Sequence, residues 1–231
     1  MIVTIDGPAG TGKSTVAFML AQRLGLEFLD TGAMYRAITL EALARGERPD
    51  DRDSVTRLAS EVDVRFDFDA SPPILYVDGR PVGDRIRAED VTAAVSIVAS
   101  HPGVRDAMVR AQQEIARAHP RIVTEGRDQG TVVFPDAELK IYLDARADVR
   151  AQRRALQLRS KRMPADEAAI LRSILERDRL DSTRSTGRLA RAGDAVLVDT
   201  SDLTTDAVVD RLVEIAQARL ATLLAVEGDG A

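Results

Sequence analysis

Residues 1–15 read Met1-Ile2-Val3-Thr4-Ile5-Asp6-Gly7-Pro8-Ala9-Gly10-Thr11-Gly12-Lys13-Ser14-Thr15, and the order of residue types here decides the fold. Ile2 to Ile5 is a short β-branched run of the kind that forms a buried parallel strand. From Lys13 to Leu24 the apolar residues Val16, Met19, Leu20 and Leu24 recur at helical spacing, and Gly25 supplies a stop. Between strand and helix, Gly7 to Ser14 fits the pattern G-x-x-x-x-G-K-[ST]. Glycines let successive backbone N–H groups turn inward around a phosphate, and the helix N-terminus adds its positive end. Gly7, Pro8, Ala9, Gly10, Thr11, Gly12, Lys13, Ser14 and Thr15 are therefore expected to hold the phosphates of a nucleotide. Lys13 would reach the β- and γ-phosphates, and the Ser14 hydroxyl would help ligate Mg²⁺. A strand–loop–helix of this type opens an α/β protein.

The rest of the chain continues that rhythm. Phe28-Leu29-Asp30 reads as a strand end, Thr31 or Gly32 to about Ala44 as a helix closed by Gly46, and Ser54 to Glu61 as a shorter helix. Helices are expected again at Ala88–Ser100 and Gly103–Ala118, with strands at Ile122–Thr124 and Leu139–Leu143. Asp148 to Arg159, a segment from Pro164 to about Asp181, and Thr204 to Leu224 read as helices, with a last strand at Ala195–Val198. Strands alternating with helices imply a parallel sheet covered on both faces. Residues 62–86 break the pattern: Val62, Val64, Phe66 and Phe68 alternate with polar residues, and Ile74–Val77 precedes an Asp78-Gly79 turn. This predicts a small antiparallel sheet inserted as a satellite lobe. The tail from Glu227 is expected to fray.

Composition narrows the classes. The 231 residues are 45% hydrophobic and 30% charged with a net charge of −5, which suits a soluble chain with a sizeable core and excludes a general polyanion binder. Aromatics make up only 3%, leaving few platforms on which nucleic-acid bases could stack. Cysteine is absent and histidine is limited to His101 and His119, so disulfides and a zinc site are not expected. No apolar run is long enough to span a membrane, and no basic-then-apolar leader precedes the strand. The expectation is a cytoplasmic monomer with small-molecule partners and no membrane or nucleic-acid contact.

The phosphate loop leaves the acceptor open. Water is one candidate, but a GTPase would carry an Asn-Lys-x-Asp guanine reader and this chain has no asparagine. An acceptor bearing its own phosphate fits better. It is already nucleophilic and needs cations to hold two mutually repelling anions in line rather than a general base. Basic residues are nearly all arginine, whose planar fork grips phosphate through two bonds. Arg36 lies early in the second helix, and Arg127-Asp128 directly follows a core strand, where open parallel sheets place ligands. Arg150, Arg153 and Arg154 share one helix, and charges crowd from Glu176 to Arg184. Each helical cluster is also readable as a solvated face with i,i+4 ion pairs. A nucleotide-sensing module without catalysis is the alternative outside enzymes. For the metal, Glu125, Asp128 and Asp144 are all candidate carboxylate partners, and Asp6 is expected to be structural.

At these residues the chain resembles bacterial cytidylate kinases, from Ile2 to about Gln217. The likeness rests on IDGPAGTGKST, LDTGAMYR, DGRPVGDRIR, SIVASHPGVR, EGRDQGTVVFPDAELKIYLDA and ERDRLDSTR. It implies a three-layer P-loop kinase fold with a parallel central sheet, a small antiparallel-sheet insert and a short lid. Residues 1–30, 119–150 and 185–225 would form the core, 31–118 a CMP-binding lobe and 150–165 the lid. It further implies phosphoryl transfer from MgATP to CMP or dCMP. Thr31, Arg36, Arg127 and Arg184 would hold the acceptor phosphate. Ser96, Arg105 and Asp128 would meet the base, and Arg177 and Asp181 the sugar. Lys13, Arg127 and the lid arginines Arg150, Arg153 and Arg154 would serve catalysis. Ser96 enters only through the resemblance, since a serine in an alanine-rich helix otherwise reads as a small packing residue. Thr31 stands where serine is usual, and Ser160–Pro164 matches loosely.

Overall fold

The computed structural model describes residues 1–228, with side chains placed as far as Thr222. In chain order the elements are β1 (Ile2–Asp6), α1 (Lys13–Leu24), β2 (Glu27–Asp30), α2 (Thr31–Ala44), α3 (Arg52–Glu61), β3 (Val64–Asp67), β4 (Ile74–Val77) and β5 (Arg80–Pro81). There follow α4 (Glu89–Val98), α5 (Pro102–Ala118), β6 (Ile122–Gly126), β7 (Leu139–Asp144), α6 (Ala147–Ser160), α7 (Glu167–Thr183), β8 (Val196–Asp199) and α8 (Thr205–Gly228). A 3-10 turn spans Gly83–Arg87, and a single π turn spans Gln129–Val133. The backbone of α8 runs to Gly228, past the expected fraying point, and residues 229–231 lie outside the described part.

The central sheet has five parallel strands in the order β2-β6-β1-β7-β8. Alternation of side chains decides what each face carries. Val3, Ile5, Phe28, Val123, Ile141 and Leu143 pack with Val16, Leu20, Val209 and Leu212 beneath α1 and α8. Leu29 and Ile122 face the opposite layer, with Met34 and Ile38 of α2, Val104 and Met108 of α5, and the insert's Leu75 and Val77. Helix, sheet and helix thus make the three expected layers. The insert is a three-stranded antiparallel sheet, β3-β4-β5. Its Asp78-Gly79 link has positive φ at both residues (48° and 74°), the mirror-image turn that a two-residue hairpin requires.

Two helix starts differ from the expected ones. Asp51 caps α3 by accepting from the Ser54 amide at 3.2 Å, so the helix begins two residues before the expected Ser54. Asp166, accepting from Ala168 N at 2.9 Å, opens α7, and Pro164 lies outside it.

Asp6 at the end of β1 shares side-chain parity with Thr4 and reaches the π turn. Its two carboxylate oxygens accept from the amides of Gln129 and Gly130, each at 2.8 Å. Burial pushes the Asp6 carboxyl up to about 6, against the pull of those two amides. The pair of bonds ties the central strand to the segment that presents Arg127 and Asp128, the structural role expected for Asp6. Asp6→Ala strands two buried amides and is expected to cost roughly 2–4 kcal/mol. Urea denaturation checks this, and a change under 1 kcal/mol, given as an order-of-magnitude threshold, would contradict it.

Candidate active site

The phosphate loop leaves β1 at a point where no side chain fits. A Cβ on Gly7, at φ +151°, would stand 2.1 Å from the Leu143 carbonyl oxygen of β7. Gly12 closes the loop at φ +88° as the residue before α1, with open space where a Cβ would project. Lys13 is buried and donates to the Pro8 carbonyl at 2.9 Å, so its ammonium lies inside the loop. Burial, aided by the charge of Arg127, pulls its pKa down to about 7. A bound polyanion favours the charged form of such a lysine. Ser14 Oγ donates to Glu125 Oε1 at 2.7 Å.

Strand register explains the carboxyl groups there. Asp30 and Glu125 are register partners on adjacent parallel strands and share the α1 face. Burial, then the neighbouring Glu125, pushes Asp30 up to about 7. Of the three acids considered as metal partners, only Glu125 meets Ser14. Asp128 pairs with Arg105, and Asp144 accepts from the Ala145 amide at 2.9 Å. No group of three His, Cys, Asp or Glu placed to hold a metal occurs among the described residues.

Beside the C-terminal ends of β2 and β6 lies a cleft built by five segments. Helix α2 contributes Thr31, Tyr35 and Arg36, and α4 contributes Ser96. Arg105 comes from α5, Arg127 and Asp128 follow β6, and Arg177, Asp181 and Arg184 come from α7 and its end. All nine residues expected at the acceptor site therefore line one cavity. Thr31 Oγ1 donates to the Glu125 carbonyl at 2.6 Å, and its methyl adds no obstruction to that bond. Arg105 and Asp128 form an ion pair, each side chain 4% exposed. Arg105 lies over the Tyr35 ring, 5.5 Å from its centroid. Burial lifts the Asp128 carboxyl above its usual range, with Arg105 pulling it down. Asp181 accepts from Arg127 at 2.7 Å and Arg184 at 2.5 Å. Burial acts to raise the Asp181 pKa, but Arg127, Arg184 and Arg177 outweigh it and hold the carboxyl below the usual range. Arg177 is pulled down to about 10 by burial and by Arg127. Five arginines and two aspartates line the cleft, an excess of cations that suits an anion.

The three arginines of α6 separate. Arg150 is buried and clamps the phosphate loop from below, donating to the carbonyls of Ala9 at 2.8 Å and Ala145 at 3.0 Å and pairing with Asp178 at 2.7 Å. Arg153 turns to the far side, bonding the Thr200 and Leu203 carbonyls at 2.5 and 3.2 Å. Neither lines the cleft: Arg150 is committed to the loop and to Asp178 of α7, and Arg153 to the β8–α8 connection. Arg154 bonds only Gln157, at 2.6 Å, and is close enough to Arg36 for the two charges to repel. Sequence reasoning missed Tyr35, although it adjoins Arg36, and missed Asp178. A wider groove of about 580 Å³ along the free edge of β8 holds one cation, Arg211, already paired with Glu214 at 3.2 Å.

A phosphate loop at the end of a central parallel strand, facing a guanidinium-lined cleft, defines a P-loop phosphotransferase. Residues 3–218 match the cytidylate kinase family. Relatives named cytidylate kinase include one from Nocardia farcinica, 46% identical over 96% of each chain, and one from Rhodococcus opacus, 47% identical over 95% of this chain and 96% of that one. The chain belongs to the cytidylate kinase family, enzymes that phosphorylate nucleoside monophosphates. Among solved structures, a protein of Eubacterium ventriosum aligns over 94% of this chain and 98% of its own with a TM-score of 0.51 and 13% identity, a likeness of fold alone.

Proposed function

We propose that this enzyme moves the γ-phosphoryl group of MgATP to CMP or dCMP. The observation that supports it most is the buried Arg105–Asp128 pair in a cleft that Arg36, Arg127 and Arg184 also line. Cytosine offers an amino donor beside ring and carbonyl acceptors, an edge that one carboxylate and one guanidinium match. Uracil reverses part of that pattern and leaves buried polar groups unpaired. Ser96 meets the base, and Arg177 and Asp181 meet the sugar. Thr31, Arg36, Arg127 and Arg184 hold the phosphate, one oxygen of which attacks the γ-phosphorus while its bond to the β–γ bridging oxygen breaks. No proton need be removed from this nucleophile, so the site works by positioning and charge neutralisation.

On the donor side, Gly7 through Thr15 cradle the phosphates and Lys13 swings from Pro8 to them. The hydroxyl of Ser14, held beside Glu125, fits Mg²⁺, a hard cation that takes oxygen ligands and keeps several waters. Bound there, the ion neutralises charge on the phosphate oxygens. Residues 31–118 act as the acceptor lobe, residues 150–165 as the lid, and the remainder as the core. Arg154 is the lid arginine placed to approach the transferring group, while Arg150 and Arg153 support the loop and the β8–α8 connection. No helix among the described residues is long and apolar enough to cross a membrane. We read the protein as a cytoplasmic monomer whose partners are these small molecules.

A panel of acceptors in a coupled ADP-release assay tests this reading. CMP and dCMP are expected to turn over, with kcat/KM for UMP at least about tenfold lower, the value of one mismatched polar contact. Equal turnover of UMP would overturn the base assignment. Tight ATP binding with no turnover of any acceptor would favour a nucleotide sensor.

A further inference from the structure

We propose that Arg87 is an additional binding residue for the acceptor's phosphate, held on Asp30 until that anion arrives. The inference rests on the reading of the cleft as an acceptor site. Arg87 ends the stretch DGRPVGDRIR, to which no role in the reaction has yet fallen. Its backbone is fixed at the cleft: Arg36 Nη1 donates to the carbonyl of Ile86, the preceding residue, at 3.1 Å, and to Thr92 Oγ1 at 2.9 Å. Its guanidinium reaches Asp30 Oδ2 at 3.3 Å, next to Thr31. Arg87 therefore bridges from the lobe to the rim of the sheet between two residues, Arg36 and Thr31, assigned to the phosphate.

Its restraint is weak. The side chain is 58% exposed and Asp30 is its sole charged partner, at the long end of hydrogen-bonding distance. Arg105 and Arg184, by contrast, are buried on their carboxylates, and Arg127 is largely covered on its own. Asp30 does not depend on Arg87 for satisfaction, since its other oxygen caps α2 by accepting from Ala33 N at 2.8 Å. Around Arg36 stand Arg87, Arg127 and Arg154, and burial together with Arg87's charge lowers the Arg36 pKa. A phosphate dianion entering this group relieves the repulsion, and a second fork from Arg87 adds paired bonds to it.

The test is calorimetric titration of Arg87→Ala, Arg87→Lys and Asp30→Asn with CMP, and a shift in unfolding temperature with cytidine, which lacks the phosphate, to millimolar concentration. Arg87→Ala is expected to lose CMP affinity on the order of tenfold or more with cytidine unchanged, and Arg87→Lys to recover part of it. Asp30→Asn, which keeps the cap but frees Arg87, is expected to bind CMP at least as tightly as the parent. CMP affinity within twofold of the parent in Arg87→Ala would overturn the proposal. So would an equal loss for cytidine, or an equal loss in Asp30→Asn, because those mark a latch that only holds the lobe in place. A parent enzyme that binds CMP no better than cytidine would instead overturn the acceptor reading itself.

Discussion

Lys13→Ala is expected to lower kcat by on the order of a thousandfold for every acceptor alike. The ammonium of Lys13 lies inside the phosphate loop, buried against Pro8. Charge on the transferring group would lose its nearest neutralising partner, and the truncated side chain leaves none in its place. The ratio of kcat/KM between CMP and dCMP should stay where it was, because the acceptor cleft is untouched. Circular dichroism should report an unchanged fold, since the helix cap at Gly12 and the Arg150 clamp on Ala9 remain. Turnover within tenfold of the parent, or a changed acceptor ratio, would contradict the assignment.

Arg127→Ala should cut kcat/KM for CMP by on the order of a hundredfold or more, with KM for CMP raised and KM for MgATP changed little. Arg127 joins two tasks. On the proposed reading it meets the acceptor phosphate, and it neutralises Asp181, to which it donates at 2.7 Å. With it gone Asp181 retains Arg184 at 2.5 Å, so the chain should still fold and the loss should register in catalysis. Arg127→Lys should recover little, because an ammonium cannot span a phosphate and a carboxylate as the planar fork does. Steady-state kinetics on purified variants decides it, and an unchanged kcat/KM would show that the acceptor site is misplaced.

What could be read from sequence was what depends on local pattern. The phosphate loop announces itself because its backbone needs glycine at fixed offsets, as Gly7 against Leu143 makes plain. The insert declared its strands through alternation and its turn through Asp78-Gly79. The acceptor residues were placed by resemblance, and their convergence from α2, α4, α5, β6 and α7 is a tertiary fact that no spacing contains. The π turn after β6 left no trace because its cause, the reach of Asp6 across 123 positions to Gln129, is non-local. The contacts of Arg150 and Arg153 were illegible for the same reason: an arginine on a helix reads alike whether it faces an anion, a carbonyl or water. Asp178 and the Asp30–Glu125 neighbourhood follow from register and packing.

The Arg150 clamp carries a consequence for how the two halves of the reaction communicate. Asp178, which pairs with the Arg150 that holds the phosphate loop, lies three residues from Asp181, which pairs with Arg127 and Arg184 in the cleft. Both project from α7, so a single rod supports the phosphate loop and the cleft alike. If the cleft and the loop hold the two nucleotides as proposed, a displacement of that rod would be felt at both together, and neither could be loosened through α7 alone.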